Sequence, residues 1–342
     1  MERIDIGSML PQELSDLMSQ LGEKPFRGRQ IFQWIHAKQV ESFEEMTDLP
    51  LMLRLKLSEE FDVSEWSKIL QVRPSSDAQS TKYLLRLAKN TIIESVSMSY
   101  SYGASACVST QAGCDMGCSF CASAEGLDRN LSAGEMCGQV YSMQKTSGAR
   151  ISHVVLMGSG EPMANYDGVV KFIRLISNEA GQNISQRRIA VSTCGIVPGI
   201  YKLAGEGLSV TLAVSLHAPN DEIRSRIMPV AKAYPMDELL KACRSYAKAT
   251  KRRVTYEYAM IKGENDSAEN AEELAKLIKG SLCHVNLIPV NDVGKNFTKS
   301  GKREIEAFAS KLAEYGVEVT IRRKLGSDIN AACGQLRSER IG

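Results

Sequence analysis

Three cysteines, Cys114, Cys118 and Cys121, stand in a Cys-x3-Cys-x2-Cys spacing on one short segment. Thiolates this close together can each bind one iron of a cubane cluster. The segment provides no fourth ligand, so one iron would keep an open position, whereas structural zinc sites usually close with four ligands. The flanking Gly113 and Gly117 suit a loop wrapped closely around a cofactor. The spacing therefore predicts an iron–sulfur cluster; a zinc knuckle completed by a distant Cys or His, or chance clustering, stays open.

A cluster with an open iron is the type that binds S-adenosylmethionine, whose ammonium, carboxylate, ribose and adenine all need polar partners. Several polar motifs that could supply such partners each follow a predicted strand, and the carboxyl ends of strands line the active site in parallel β/α folds. Each motif by itself is also explained as a turn, a cap or a structural histidine, but together they predict one site. The motifs are Gly158-Ser-Gly160-Glu161-Pro162, Ser192-Thr193-Cys194-Gly195, Ser215-Leu216-His217 and Asn291.

The elements that must position these motifs alternate between strand and helix from residue 105 onward. One helix is predicted to begin after Ser132, which forms a capping box with Glu135, and others cover roughly residues 235–250, 267–279 and 301–315. Regular alternation argues for a parallel sheet, although the sequence does not separate a barrel from a doubly wound sheet. The predicted strands are residues 106–110, 151–157, 188–193, 209–216, 253–260, 283–289 and 317–323.

The chain changes character near residue 100. Up to about residue 70 it is typical of short amphipathic helices, and residues 81–88 and 91–100 are predicted strands around a turn at Lys89-Asn90. We therefore expect an α/β protein with a small N-terminal helical and β accessory domain over residues 1–98 and a β/α core over residues 99–342.

The composition of the 342 residues, 43% apolar and 24% charged, is that of an ordinary globular protein. No apolar run is long enough to span a membrane, and the acidic N-terminus has no apolar signal core, so we expect a cytoplasmic protein. Nine cysteines in a reducing compartment predict metal ligation, redox work or burial instead of a structural disulfide framework. A net charge of +2 neither requires nor excludes a nucleic-acid partner.

The motifs resemble those of the radical S-adenosylmethionine RNA methyltransferases that methylate adenine at carbon 2 in 23S ribosomal RNA and transfer RNA, the RlmN/Cfr family. The resemblance runs from about residue 20 to residue 338, and its last motif is highly specific. The matching segments are Cys107-Val-Ser-Thr-Gln-Ala-Gly-Cys114 with Cys118 and Cys121, Arg129-Asn-Leu131, Met157-Gly-x-Gly-Glu161-Pro, Val191-Ser-Thr193, Ser215-Leu-His217, His284-Val-Asn-Leu-Ile-Pro-Val-Asn291 and Asp328-Ile-Asn-Ala-Ala-Cys333-Gly-Gln-Leu336.

The resemblance implies a partial β/α barrel of about six strands with an N-terminal domain that contacts RNA. It implies that Cys114, Cys118 and Cys121 ligate a 4Fe–4S cluster. It also implies a reducing partner such as flavodoxin. The residues implied to bind S-adenosylmethionine are Gly160, Glu161, Ser192, Ser215, Leu216, His217 and Asn291.

Three further residues have catalytic roles implied by the resemblance. Cys333 would take a methyl group from a first S-adenosylmethionine, and a radical generated from a second would activate that methyl to add to the adenine carbon. Glu94 stands where the family has its proposed proton acceptor. Cys107 would then attack the Cys333 sulfur, form a transient disulfide and release the methylated RNA. From the residues alone, burial at the end of a strand also explains Cys107. An exposed strand carboxylate explains Glu94 as well as a base does.

Basic residues near aromatic ones in the N-terminal region suit RNA backbone contacts and base stacking, although an amphipathic helix with inward-facing aromatics explains the same pattern. Two further basic clusters, residues 251–253 and 322–324, flank predicted strands. The N-terminal residues are Lys24, Phe26, Arg27, Arg29, Phe32 and Trp34.

Three other functions remain open at this point. The nearest is methylation of adenine at carbon 8, which shares every catalytic residue, although the motifs at Gly160-Glu161-Pro162 and Leu287-Ile-Pro289 favour carbon 2. A non-catalytic RNA-binding protein with structural zinc would explain the cysteine triplet differently. A radical enzyme that activates another protein would leave Cys107 and Cys333 without a purpose.

Overall fold

The computed structural model describes residues 4–63, 67–124, 126–290, 297–322, 325–332 and 334–336. Asn291 and Cys333 lie outside the described residues, so their roles stay predictions. One ten-stranded sheet forms the centre of the fold. Among the described helices, none has the length and apolar character needed to cross a bilayer.

The N-terminal region forms the short helices that its apolar spacing predicts. Ile31, Phe32 and Ile35 lie on one face of a helix and are fully buried, because an apolar stripe at helical spacing is stabilised when it is covered. A two-residue strand before the helices pairs in parallel with another after them and closes the region. The elements are β1 (Ile4–Asp5), α1 (Pro11–Gln20), α2 (Phe26–His36), α3 (Leu51–Glu60) and β2 (Phe61–Asp62).

Three antiparallel strands follow: β3 (Lys68–Pro74), β4 (Ser80–Arg86) and β5 (Ile92–Tyr100). The turn predicted between the last two is confirmed at Lys89 and Asn90, whose φ angles are 56° and 54°. The sequence did not predict β3, because this edge strand leaves most of its side chains exposed and shows no clean alternation.

The core strands continue the same sheet, since β5 pairs with the first of them, and the expected boundary after residue 98 falls inside β5. Seven parallel strands of the core each lie beside the next in chain order. A doubly wound sheet would reverse that order at a switch point. The strands are β6 (Gly103–Cys107), β7 (Gln111–Cys114), β8 (Gly126–Asn130), β9 (Ile151–Leu156), β10 (Ile189–Thr193), β11 (Thr211–Ser215), β12 (Val254–Met260), β13 (Cys283–Pro289) and β14 (Val319–Ile321).

The expectation of a partial barrel is therefore confirmed, with seven parallel strands where the resemblance implies about six. The barrel stays open, because β3 and β14 are the two edges of the sheet. Outside the barrel sheet, β7 and β8 form a separate antiparallel hairpin.

The core helices connect the parallel strands. The predicted capping box is confirmed at the first of them, where the Ser132 hydroxyl accepts from the Glu135 backbone N–H at 3.1 Å and the Glu135 carboxylate accepts from the Ser132 N–H at 2.9 Å. The helices are α4 (Ala133–Ser147), α5 (Tyr166–Ile176), α6 (Val197–Gly205), α7 (Asp221–Ile227), α8 (Met236–Thr250), α9 (Ala268–Ile278) and α10 (Lys302–Glu314).

The two faces of the barrel strands differ in polarity. Val191 and Val214 are fully buried, whereas their neighbours Ser192 and Ser215 are partly exposed. Successive side chains on a strand point to opposite faces, so the apolar residues pack away from the face that carries the serines. This alternation brings the predicted polar residues to one concave surface.

Candidate active site

A cavity of about 150 Å³ lies at the carboxyl ends of the parallel strands. Its wall contains Cys114, Cys118 and Cys121, so the predicted cluster ligands share one space. It also contains five of the seven residues predicted to bind S-adenosylmethionine. Those five are Gly160, Glu161, Ser192, Ser215 and His217.

The remaining two predicted binding residues are not in this wall. Leu216 has a fully buried side chain within the hydrophobic core, so only its backbone is suited to contact a ligand. Asn291 lies outside the described residues, one position after Val290, which lines the cavity.

A larger cavity of about 860 Å³ opens elsewhere, between the residues that follow α2 and β2, the β3–β4 hairpin and α4. Lys68, Arg86, Lys89 and Lys145 line it, and none of the cysteine triplet does. Size alone would favour this cavity, but the thiols and strand-end polar groups that can do chemistry converge only in the smaller one. We therefore place the candidate active site there.

The cysteine loop has the tight backbone that its glycines predict. Gly113 and Gly117 have φ angles of 78° and 65°, a region that side chains rarely adopt. A Cβ at Gly113 would lie 2.0 Å from the carbonyl oxygen of Gly126 on the paired strand. The loop is hydrogen-bonded to the end of α7, where the Ser119 N–H donates to the carbonyl of Ile227 at 2.9 Å.

Burial raises the pKa of the Cys114 thiol to about 11 and that of the Cys118 thiol to about 12. In both cases the Cys121 thiolate raises the pKa further, because like charges on this short loop repel one another. The Cys114 and Cys118 thiols are therefore protonated at neutral pH without a metal, and binding iron would release those protons.

Within the described residues, no three His, Cys, Asp or Glu side chains converge on one metal-ion position. A cubane cluster does not require such convergence, because each thiolate binds a different iron. The donor set that shares the cavity is therefore chemically suited to a cluster with three protein ligands.

Arg224 on α7 places a positive charge behind the cavity wall. Its side chain is fully buried and donates to the carbonyls of Cys194 at 2.6 Å, Leu216 at 3.2 Å and Ser215 at 3.3 Å. Its Nη1 is buried and has no hydrogen-bond partner among the described residues. The guanidinium lowers the pKa of the nearby Cys118 thiol, so it favours the thiolate form that an iron ligand needs.

Glu161 joins the loops that follow β9 and β10. One carboxylate oxygen accepts from the Cys194 N–H at 2.7 Å and the other from the Met163 N–H at 2.9 Å. Burial raises the pKa of the carboxyl, and these two hydrogen bonds oppose that shift. The Thr193 and Cys194 side chains also hydrogen-bond to this carboxylate and lower its pKa, so Glu161 holds together the loops that border the cavity.

His217 is neutral and fixed in orientation. Its Nδ1 accepts from the Ala259 N–H at 2.9 Å, which assigns the proton to Nε2. Burial, and then the charge of Arg224, lower the His217 pKa to about 3. Phe120 of the cysteine loop packs edge-on against the ring, with centroids 4.7 Å apart, so His217 connects the barrel to that loop.

Glu94 and Cys107 lie on one face of the sheet. Cys107 stands directly opposite Val96, and Glu94 is two residues from Val96 along β5. Glu94 is buried, at 4% exposure, where the sequence alone left an exposed carboxylate open. Lys82 on β4 donates to its carboxylate at 2.6 Å. The predicted base and the predicted resolving thiol are thus neighbours on the same surface.

The described residues on both sides of Cys333 pack against this surface and the cysteine loop. Leu336 joins Val96 in a small apolar cluster against which Cys107 packs. Gly334 lines the cavity, and its carbonyl accepts from the Ala122 N–H at 2.7 Å. Described residues 325–332 and 334–336, here called the C-terminal segment, therefore lie between the predicted cluster ligands and the face that carries Glu94.

Sequence reasoning missed three buried charged residues of this site. They are Lys82, Arg224 and Glu257. Glu257, on β12, lines the cavity and accepts from the Asn286 side-chain amide at 2.9 Å. A signal existed for Glu257, because a carboxylate is unusual between two tyrosines in a predicted strand rich in β-branched and aromatic residues. Lys82 and Arg224 follow no motif that identifies their partners.

Similarities to known proteins cover nearly the whole chain. Residues 108–278 match the radical SAM superfamily, and residues 4–63 match the ribosomal RNA large subunit methyltransferase N-terminal domain. The probable dual-specificity RNA methyltransferase RlmN of Lachnoclostridium phytofermentans is 51% identical over 98% of this chain and 95% of its own. The probable dual-specificity RNA methyltransferase RlmN of Alkaliphilus oremlandii is 50% identical over 100% of this chain and 99% of its own. A crystal structure of a radical SAM methyltransferase from Sphaerobacter thermophilus superposes with a TM-score of 0.93 at 42% identity, covering 98% and 100% of the two chains.

Proposed function

The chain belongs to the RlmN family of radical SAM RNA methyltransferases, and from this membership we propose that it methylates carbon 2 of adenosine in 23S ribosomal RNA and in certain transfer RNAs. One observation carries the proposal: the segment flanking Cys333 is hydrogen-bonded to the cysteine loop. The Ala122 N–H donates to the Gly334 carbonyl oxygen at 2.7 Å. A methyl-carrying thiol has a use only beside the centre that activates the methyl, and this contact supports that placement.

As a member of this family the chain uses a 4Fe–4S cluster and S-adenosylmethionine. We assign the cluster ligands to Cys114, Cys118 and Cys121. When bound, the cluster supplies the electron that cleaves S-adenosylmethionine reductively to a 5′-deoxyadenosyl radical. For S-adenosylmethionine we propose two molecules per turnover, one to methylate Cys333 and one to activate that methyl. The proposed binding residues are Gly160, Glu161, Ser192, Ser215, Leu216, His217 and Asn291.

Cys333, Glu94 and Cys107 each carry out one of the remaining steps. Cys333 carries the methyl carbon that becomes bonded to the adenine. Glu94 accepts the proton that leaves carbon 2, and its burial next to Cys107 supports this role. The Cys107 thiolate attacks the Cys333 sulfur, which forms a disulfide, breaks the bond between that sulfur and the methylene carbon, and leaves the electron pair on carbon to be protonated.

The substrate of the chain is RNA, and we propose that residues 1–98 form the accessory part that contacts it while residues 99–342 form the radical core. In the N-terminal region, Phe26 is 53% exposed between the exposed Lys24 and Arg29, which supports a stacking and phosphate-binding surface. Phe32 does not contribute to such a surface, because it is fully buried. We also propose a cytoplasmic location and a reducing partner such as flavodoxin.

The proposal is tested by modifying 23S ribosomal RNA and transfer RNA with the anaerobically reconstituted protein and analysing the nucleoside digest by mass spectrometry. We expect 2-methyladenosine from both RNAs, identified against standards of 2- and 8-methyladenosine. The matched control is Cys333→Ala, which should assemble the cluster and yield no methylated base. A product that comigrates with 8-methyladenosine would replace the proposal with the sister activity.

A further inference from the structure

Lys82 is a buried amine whose position the proposed reaction does not yet explain. It is 9% exposed, and its Nζ lies 2.6 Å from a carboxylate oxygen of Glu94, itself 4% exposed. The strand register accounts for the contact. Lys82 stands opposite Val96, and Glu94 stands opposite Leu84, so the two side chains are diagonal neighbours on one face of β4 and β5.

The same ammonium also reaches the C-terminal segment. It donates to the carbonyl oxygen of Asn330 at 3.4 Å, three positions before Cys333. Lys82 therefore touches both the proposed base and the segment that carries the proposed methyl carrier.

The rest of the β3–β4 hairpin holds this segment as well. The Ser76 N–H in the turn donates to the Asp328 carboxylate at 2.8 Å. At Gly326 a Cβ would lie 2.8 Å from the Ser80 hydroxyl, so the segment backbone passes directly over β4. The contact of Lys82 with Asn330 is thus part of a continuous docking surface.

Stability does not explain why an ion pair occupies this place. Taking a lysine and a glutamate out of water costs free energy that their attraction only partly offsets, and a well-packed apolar pair of similar volume is often as stable or more so. An apolar pair could not hold a carboxylate at a defined place against the segment. The ion pair therefore fits a requirement of the reaction better than a requirement of the fold.

We propose that Lys82 is a positioning residue, which fixes the Glu94 carboxylate and the C-terminal segment in one arrangement for proton removal. The inference rests on the proposed function, in which Glu94 is the base. In that step the carbon 2–hydrogen bond of the covalent adduct breaks, the proton moves to a Glu94 oxygen, and the electron pair of the bond returns to the purine ring. The unpaired electron that radical addition leaves on the adduct would pass to a one-electron acceptor, for which the 4Fe–4S cluster, oxidised when it donated its electron, would serve. Misplacement of reacting groups by about 1 Å can cost on the order of a hundredfold in rate.

The test is the variant Lys82→Met in an anaerobic single-turnover reaction with RNA. Methionine keeps most of the length of the side chain and removes the charge. We expect normal cluster absorbance and normal methylation of Cys333, but release of methylated RNA slowed by about tenfold or more, with covalent protein–RNA adduct accumulating. The matched control is Lys241→Met, at an exposed lysine on α8 outside the proposed RNA-contacting part, which should behave as the unmodified protein.

Rescue separates positioning from general damage to the fold. Lys82→Arg restores a cation and should lower the adduct fraction again, whereas an adduct fraction equal to that of Lys82→Met would assign the effect to packing and overturn the proposal. Should Lys82→Met fail to load its cluster, Lys82→Gln takes its place. We expect the same accumulation of adduct from Lys82→Gln, and a normal ratio of adduct to product would overturn the proposal.

The variant Glu94→Gln distinguishes a failure of this inference from a failure of the proposed function. If Glu94→Gln accumulates adduct while Lys82→Met releases RNA normally, the positioning role of Lys82 is wrong and the function stands. If Glu94→Gln itself releases methylated RNA at the normal rate, Glu94 is not the base and the role of Lys82 is overturned with it.

Discussion

At the scale of single residues, the site is organised by side chains that hold backbone groups. Glu161 accepts from two backbone N–H groups, and Arg224 donates to three carbonyls, all at or near the ends of barrel strands. These loops leave their backbone polar groups without sheet partners, and a buried unpaired group is costly. The charged side chains therefore supply hydrogen-bond partners to backbone groups that have no sheet partner beyond the end of a strand.

Replacing Glu161 by Gln should weaken binding of S-adenosylmethionine. The amide is the same size, but its NH₂ group cannot accept, so either the Cys194 or the Met163 N–H loses its partner. We expect the dissociation constant to rise by about tenfold or more, with about 1–3 kcal/mol lost from the free energy of unfolding. Anaerobic equilibrium dialysis measures the binding. Glu222→Gln, at an exposed carboxylate on α7, is the control, and equal affinities for both variants would contradict the role of Glu161.

Replacing Arg224 by Met should destabilise the protein, because three buried carbonyls lose a charged donor. We expect roughly 3 kcal/mol to be lost from the free energy of unfolding, measured by urea denaturation under argon. Arg226→Met on the same helix removes exposed ion pairs with Glu222 and Glu264 and should change stability by no more than about 0.5 kcal/mol. Indistinguishable midpoints for the two variants would show that the buried hydrogen bonds of Arg224 are not needed.

At the scale of elements, the cysteine loop depends on a hairpin that only glycine permits. Gly113 combines a positive φ with the close approach of Gly126 across the pair of β7 and β8. The cysteine loop is also hydrogen-bonded to the end of α7 and to the C-terminal segment. Three separate parts of the chain therefore shape the space for the cluster.

Gly113→Ala should prevent normal cluster assembly. A methyl group cannot fit 2.0 Å from the Gly126 carbonyl, so the strands must separate and Cys114 must move with them. We expect iron and acid-labile sulfide after reconstitution to fall by more than about half, since a ligand that is out of place loses its metal. Gly148→Ala is the matched control, because Gly148 has a φ of 66° with open space around its Cβ position. Full iron content in Gly113→Ala would refute the explanation.

At the scale of the whole molecule, one sheet connects the N-terminal half to the radical core. The antiparallel strands β3 to β5 place Lys82 and Glu94, and the parallel strands place Cys107 and the cavity wall. Two buried histidines join distant parts of this structure. His36 of α2 bonds to the Tyr141 hydroxyl of α4 at 2.8 Å, and His217 connects the barrel to the cysteine loop.

Acid should destabilise the whole protein through these histidines. Burial lowers the pKa of both His36 and His217 to about 3, well below the ordinary histidine value of 6.5. A depressed pKa means that their contribution is complete above pH 6.5 and is lost as the pH falls toward 3, because the unfolded chain then binds protons that the folded one does not. Each histidine adds a slope of up to about 1.4 kcal/mol per pH unit. Urea midpoints at pH 7.5 and 5.5 measure the effect.

The variant His36→Gln provides the control for that measurement. It removes one titrating group while glutamine can still bond to the Tyr141 hydroxyl, so the loss of stability between the two pH values should shrink. A slope that is unchanged in this variant would mean that other groups cause the acid sensitivity.

The local sequence determined the features that depend on near neighbours. The cysteine spacing, the glycines of the loop, the capping box at Ser132 and the polar residues after each strand are all properties of a few adjacent residues. Their convergence also followed, since the ends of parallel strands must meet at one side of a sheet. A family resemblance was needed for Cys107, Glu94 and Cys333, because no local pattern relates residues so far apart.

Only the tertiary structure decided which charges meet. The ion pair of Lys82 and Glu94 depends on the register between two strands, and the contact with Asn330 depends on where a segment 248 residues away docks. The burial of Arg224 depends in the same way on how α7 packs beneath the loops after β10 and β11. Such contacts are selected by the sum of many weak packing interactions across the molecule, and no short stretch of residues contains that sum.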